Sequence, residues 1–415
     1  MRSAHELVDH FVRHEWGRLV ALLTRRLGLC NFDLVEDVVQ STLAQALETW
    51  GADEIPDDPA GWVYRVARNK ALDALRRQAA ALRLAPAVAR PEEVAPFDAI
   101  VLDGEIADSQ LRMVFACCHE DLPDESRVAL TLKALCGFST AEIARALLTT
   151  EANAQKRVAR AKEKFRDSSI PFEVPAGERL LARLASVHAV LYLLFNEGYN
   201  SSHPDDLIRA DLCAEAIRLG CLLADQELCA TPETFALLAL MLFHAARFDA
   251  RLDNEGCILL LAEQDRSAWD RGLVERARYY LNCSAQGERL SVYHIQAGIA
   301  AHHCLAPSFA DTDWPSILRL YDLLLAAQAS PVTELNRAVV LAQIQGPEAG
   351  IAAVERIRAV ELLGNYPLLE ATLGELHLRA GHPERARHFF REAARKTTSE
   401  PQMRLLERKV AQCGG

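Results

Sequence analysis

The chain reads as an all-α protein, and three features of its sequence say so. Aromatic residues make up only 7% of a chain that is half hydrophobic and a quarter charged. Ala, Leu and Arg recur throughout, and the Val, Ile and Thr alternation that marks strands is almost absent. At 415 residues the chain is long enough for two to three globular domains. Breakers divide it: Pro86, Pro91 and Pro96 lie among alanines and acids between Ala79 and Glu105, and Pro171 and Pro175 fall between Asp167 and Gly177. The expected organisation is a block at 1–80, a semi-extended linker at 81–107, a block at 108–168 and a long helical block at 178–415.

The longest apolar stretch, Phe235 to Phe243, is far short of the roughly 20 residues that cross a bilayer, and the N-terminus opens with Arg2, His5 and Glu6 rather than an apolar leader. A cytoplasmic chain without a membrane partner is expected. Eleven cysteines at irregular spacings include no CxxC pair, which argues against a disulfide scaffold and a structural zinc site. Cys117-Cys118-His119 and His302-His303-Cys304 step about 100° per residue around a helix, so neighbours do not converge on one metal. They read as small core residues near helix ends. No metal or cofactor is expected.

The net charge of −11 hides two basic stripes. From Arg65 to Arg90, seven Lys or Arg stand against Asp73; from Lys156 to Arg166, six stand against Glu163. Stripes of this kind on an acidic chain suit selective phosphate contact. Two solvated helix faces explain them equally well on charge alone.

In the first block, Asp33 to Trp50 forms a helix with Asp33 and Glu36 in capping positions. Val35, Val38, Thr42, Ala46 and Trp50 are available for packing, with Glu36, Asp37 and Gln40 exposed. A Gly-, Pro- and Asp-rich loop, Gly51 to Gly61, leads to a second helix from Trp62. Its Arg65, Arg68, Asn69 and Arg76 fall along one side. Aromatic rings beside a basic helix and a loop suit unstacked single-stranded bases; the alternative is that Trp50 and Trp62 anchor a small bundle.

In the second block, Ser139-Thr140-Ala141-Glu142 is a capping box that opens a short helix with Ile143, Ala144 and Leu147 inward. After a turn at Thr149-Thr150, a second helix packs Ala154, Val158, Ala161 and Phe165, and turns Lys156, Arg157, Arg160 and Lys164 away. Its first residues, Glu151, Asn153, Gln155 and Lys156, are polar enough to reach base edges while the later cations meet phosphates. In the long block, Leu180, Leu184, Val187, Leu191 and Leu194 keep the helical period. Leu373, Gly374, Gly381, Ala386, Phe390 and Ala393 sit at tetratricopeptide offsets, so a helix pair there must stack on the segments Leu335 to Ile344 and Ile351 to Ile357.

These segments together resemble a known family. "DLVEDVVQSTLAQALETW" followed by "WVYRVARNKALDALRR" resembles region 2 of the extracytoplasmic-function sigma factors, and "LTLKALCGFSTAEIARALLTTEANAQKRVARAKEKFR" is similar to their region 4. "LYLLFNEGYNSS", "ADLCAEAIRLG", "EQDRSAWDR" and "TELNRAVVLA" resemble the subgroup with a long tetratricopeptide-like extension. The resemblance implies a factor that guides core RNA polymerase to promoter DNA. The face of Glu36, Asp37 and Gln40 would dock on the β′ clamp helices, with the β subunit a further contact. The Gly51 to Gly61 loop would hold a flipped minus-ten base, and Trp62, Arg65, Asn69, Asp73 and Arg76 would touch the opened strand. Asn153, Gln155, Lys156, Arg157 and Arg160 would meet the minus-thirty-five element. The extension would take a protein, peptide or small-ligand partner and control the sigma core. The sequence departs from the family where Ser41 and Thr42 intervene before Leu43, and where the recognition helix begins Glu151-Ala152-Asn153.

An enzyme is not expected, since no P-loop, GxSxG or HExxH occurs. The rival readings are a ligand-sensing helix-turn-helix regulator that does not join polymerase, and a scaffold built on the C-terminal repeats.

Overall fold

The computed structural model describes residues 4–50, 56–83, 103–147, 149–167, 170–175, 177–200, 208–253, 255–357 and 366–414. Within them the chain is helical, and the nearest approach to a sheet is an isolated bridge between Leu252 and Ile258. It divides into two compact units: Met1–Leu194 with Ala214–Cys229, and Phe195–Cys213 with Ala230–Gly415.

The first unit contains α1 (Ala4–Leu27), α2 (Phe32–Thr49), α3 (Pro59–Arg83), α4 (Asp103–Cys117), α5 (Asp124–Cys136), α6 (Thr140–Ala146) and α7 (Glu151–Arg166). The start of α8 (Glu178–Tyr199) and most of α9 (Ala210–Ala224) belong to it as well. Helix α1 packs against α2, α4 and α5. Gly17 sits where α1 crosses α5, and any Cβ there would collide with the Leu135 carbonyl. Helix α5 ends at Gly137, whose φ of 65° suits glycine, with the Trp16 indole pressed against it. The Trp16 Nε1 donates to the Lys133 carbonyl at 3.2 Å.

Helix reaches into both ends of the segment expected as linker: α3 runs on to Arg83, carried by the helix-forming Ala79, Ala80, Ala81 and Leu82, and α4 starts at Asp103. Residues 84–102, with all three linker prolines, lie outside the described residues. The block boundary expected at 178 falls at the first residue of α8, but Val187 and Leu191 of α8 close a core with Leu111 and Val114 of α4 and Leu219 and Leu223 of α9. Ser186 also accepts from Arg127 at 3.1 Å. By length and composition α8 is apolar enough to cross a membrane, although its apolar residues do not form one continuous run. More than half of its most apolar window is buried inside the protein, as in a core helix. Cys117 and Cys118 are fully buried at the end of α4, and burial pushes the Cys118 thiol up to about 12.

The second unit contains α10 (Pro232–Ala245), α11 (Arg271–Ser284), α12 (Val292–Leu305), α13 (Trp314–Ala327), α14 (Pro331–Gln345), α15 (Pro347–Ile357), α16 (Pro367–Arg379), α17 (Pro383–Lys396) and α18 (Glu400–Gln412). From α12 onward each helix packs on the next. Five of the second unit's helices, α10 and α14 to α17, begin with proline, whose missing N–H is harmless in a first turn. Leu335, Ala338 and Ala342 of α14, Ala353, Val354 and Ile357 of α15, and Leu369, Leu373 and Leu376 of α16 share one core. Two successive helix pairs are therefore stacked, because neither can bury its apolar face alone. Gly374 lets α17 approach: a Cβ there would stand 2.6 Å from the Phe390 ring. Gly381 turns the chain between α16 and α17 with φ 78°.

Candidate nucleic-acid interface

Helix α2 presents one acidic side and one apolar side, and the apolar side is spent on the core: Val35, Val38, Thr42, Ala46 and Trp50 are buried. Asp37 and Gln40 are exposed. Glu36 is not. It is 6% exposed, and the Lys162 ammonium of α7 lies directly on its carboxylate while also reaching Asp33 Oδ1 at 3.1 Å. Nor do Asp33 and Glu36 cap α2, whose first flanking residue is Asn31. Both carboxylates point at α7, which supplies the cation that a buried Glu requires.

Helix α3 crosses beside α2, with the Trp62 and Trp50 rings 5.3 Å apart edge to face and Lys70 donating to the Ser41 carbonyl at 2.8 Å. Trp50 is thus a bundle anchor, and half-buried Trp62 keeps part of its surface open. Arg65, Asn69, Asp73 and Arg76 are all exposed, spaced four, four and three apart on one face. Asp73 is not a bare acid: Arg76 sits 3.3 Å from it, and Arg77 Nε donates to its carbonyl. Arg65 lies 3.8 Å from Asp58 in the remaining part of the loop. Residues 51–55 of the Gly51 to Gly61 loop lie outside the described residues.

The helix pair α6 and α7 forms from local chemistry. The Ser139 amide donates to Glu142 Oε2 at 2.8 Å and the Glu142 amide to Ser139 Oγ at 3.2 Å, the reciprocal box read from the sequence. Thr150 caps α7 by accepting from the Asn153 amide. Ala154, Val158, Ala161 and Phe165 are buried, packing α7 on α5 and α6, and Phe165 meets Phe32 edge to face at 5.4 Å. Asn153, Gln155, Lys156, Arg160 and Lys164 are exposed. Arg157 departs from its expected place: it turns back to Glu125 of α5 at 2.7 Å and is half-buried, because one helical turn from Ala154 brings it to the edge of the packed face.

Two basic faces and an acidic patch thus lie in one unit, with α7 fastened to α2 through Lys162. The sequence carried a signal for this fastening, a lysine standing between Val158, Ala161 and Phe165 on the inward side of α7.

Residues 11–81 match sigma-70 region 2, residues 112–165 match sigma-70 region 4, and residues 183–285 match a family of unknown function, DUF6596. Over 376 residues the chain is 38% identical to an uncharacterized protein of Rhizobium meliloti (strain 1021), covering 89% of this chain and 87% of that protein. No solved structure matches.

Proposed function

We propose that this chain, whose residues 11–81 and 112–165 match sigma-70 regions 2 and 4, is an initiation factor of the extracytoplasmic-function type, acting in the cytoplasm with core RNA polymerase. The observation that carries this reading is the presence, in family order, of two exposed basic helix faces: Arg65, Asn69 and Arg76 on α3, and Lys156, Arg160 and Lys164 on α7. The α3 face, with Trp62 and Asp73, takes the opened minus-ten strand. The α7 face, with Asn153 and Gln155, takes the minus-thirty-five element. Asp37 and Gln40 dock on the β′ clamp helices, while Glu36 and Arg157 serve the fold. The second unit is a tetratricopeptide-like extension that controls how available α2, α3 and α7 are to polymerase.

The test is co-elution of the full-length protein with core polymerase and run-off transcription from a cognate promoter. Asp37→Arg should abolish co-elution while leaving stability within about 0.5 kcal/mol, as surface substitutions do. A chain that binds promoter DNA yet never co-elutes with polymerase would be the ligand-sensing regulator instead. For the extension, the informative truncation is after Cys229, which retains the whole first unit; cutting after Ala176 would strip Val187 and Leu191 from its core. Equal initiation by the truncated and full-length chains under every condition would refute control by the extension.

A further inference from the structure

The second unit holds a cleft of about 560 Å³, the size that accommodates a small organic molecule. Its walls are apolar, with Phe309, Trp314 and Tyr321 on one side and Val340, Leu376 and Leu406 among the rest. Its charges are unbalanced. Lys409 is matched by Glu375 at 2.9 Å, but among the described residues exposed Arg379 meets only the Gln343 amide oxygen at 3.2 Å and the Ala342 carbonyl at 3.5 Å.

Behind the cleft wall the imbalance grows. His303, which lines the cleft and packs on Trp314, lies in the field of Arg247 and Arg266, and Arg251 lies near the neighbouring His244. Arg247 and Arg266 stack on Trp269, their guanidinium carbons 5.4 and 4.6 Å from its centre. Arg251 lies 3.9 Å from the centre of the Tyr199 ring. Their hydrogen bonds go to neutral oxygens: Arg247 to Gln264, Arg251 to the Tyr199 carbonyl, and Arg266 to the His303 and Ala306 carbonyls at 2.6 and 2.7 Å. Among the described residues no carboxylate comes within 4 Å of any of the three. Arg266 Nη2, Trp269 Nε1 and the His303 and His244 Nδ1 atoms are buried without a hydrogen-bond partner. Burial, with help from Arg247 and Arg266, holds His303 down to about 4, so the histidine adds no charge of its own at neutral pH. Half-buried cations with no close carboxylate among the described residues are costly, and an apolar cleft beside them is a place where an anion would repay that cost.

We infer that this cleft binds a small amphiphilic organic acid, its apolar body against Phe309, Trp314 and Tyr321 and its negative group in the field of Arg379 and of the arginines behind His303. The inference stands whether or not the extension regulates initiation, and its failure would leave co-elution with polymerase untouched.

The probe is 1-anilinonaphthalene-8-sulfonate, titrated into the full-length protein and followed by fluorescence, with sodium decanoate and 1-decanol as competitors. One saturable site is expected, with decanoate displacing the probe at least tenfold more effectively than the uncharged decanol. Arg379→Gln, at an exposed position, should cut decanoate competition about tenfold and leave decanol unchanged. Thr372→Trp, which fills the cleft from α16, should abolish probe binding. Absence of a saturable site, equal competition by acid and alcohol, or binding indifferent to both substitutions in folded variants would overturn the inference. Where a variant fails to fold, the acid-versus-alcohol comparison on the unaltered chain decides.

Discussion

Lys162→Met should loosen α7 from α2, and the size of the effect follows from the three groups involved. Glu36 has a side chain only 8% exposed, one oxygen already lacks a hydrogen-bond partner, and among the described residues its ion-pair partner is Lys162. Removing one partner of a buried pair costs about 3–5 kcal/mol, because the other charge stays behind. Lys162 is itself 21% exposed and its second acid, Asp33, 47%, so solvent screening brings the expectation down to about 2–3 kcal/mol. For a unit of about 210 residues, unfolding entropy of roughly 2.1 cal/mol/K per residue turns 3 kcal/mol into a melting shift of about 7 °C. The assay is a double-mutant cycle by thermal and urea melts with Glu36→Leu. The pair Lys162→Met with Glu36→Leu should recover most of the loss, since methionine keeps the stem against Phe32 and no buried charge remains. The pH sign is also set. Burial opposes the ammonium, but Glu36 and then Asp33 outweigh it and hold Lys162 above its usual 10.5. The stabilisation is therefore complete below that value and is lost only as pH climbs through the raised one, leaving the coupling flat from pH 6 to 9. A single-mutant cost under about 1 kcal/mol, or additive effects in the cycle, would show that the ion pair does not fasten the two helices.

Arg160→Ala should weaken promoter binding by about 1–3 kcal/mol if the side chain reads a base, or lower the salt slope by about 1 if it grips phosphate; indifference in both would remove α7 from the DNA. Gly374→Ala should cost about 1–3 kcal/mol in melts of the second unit, since its Cβ meets the buried Phe390 ring, whereas Gly381→Ala meets nothing within 4 Å and should cost only the backbone strain of about 1 kcal/mol. Equal effects would refute the close approach of α16 and α17. Burial, helped by nearby arginines, holds His244 near 3 and His303 near 4, so both must gain protons on acid unfolding. Stability should fall as pH drops below about 6.5, by about 1.4 kcal/mol per pH unit for each histidine, and His303→Phe should flatten that slope in urea melts between pH 7 and 5.

The helices and their inward faces were legible in the sequence, because both follow from short-range chemistry. The Ser139 and Glu142 box, the buried series Ala154, Val158, Ala161 and Phe165, and the spacing of Arg65, Asn69 and Arg76 are set by neighbours within a few residues. The stacking of Leu373 on the cores of α14 and α15 was legible too, since an amphipathic pair with glycine at a crossing has nowhere else to bury its face. What periodicity cannot rank is which charged residue on a helix shoulder finds a partner far along the chain. Glu36 and Asp37 are adjacent and alike in sequence, yet only the tertiary structure buries the first under Lys162 and leaves the second in water. Arg157 and Arg160 differ in the same way, through the reach of Glu125. Arg247 and Arg266 lie 19 positions apart with Trp269 and His303 further on, so their convergence behind one cleft residue rests on helix packing that no local pattern encodes. Electrostatic partnership depends on distances of a few ångströms between distant segments, and those distances exist only once the core has closed.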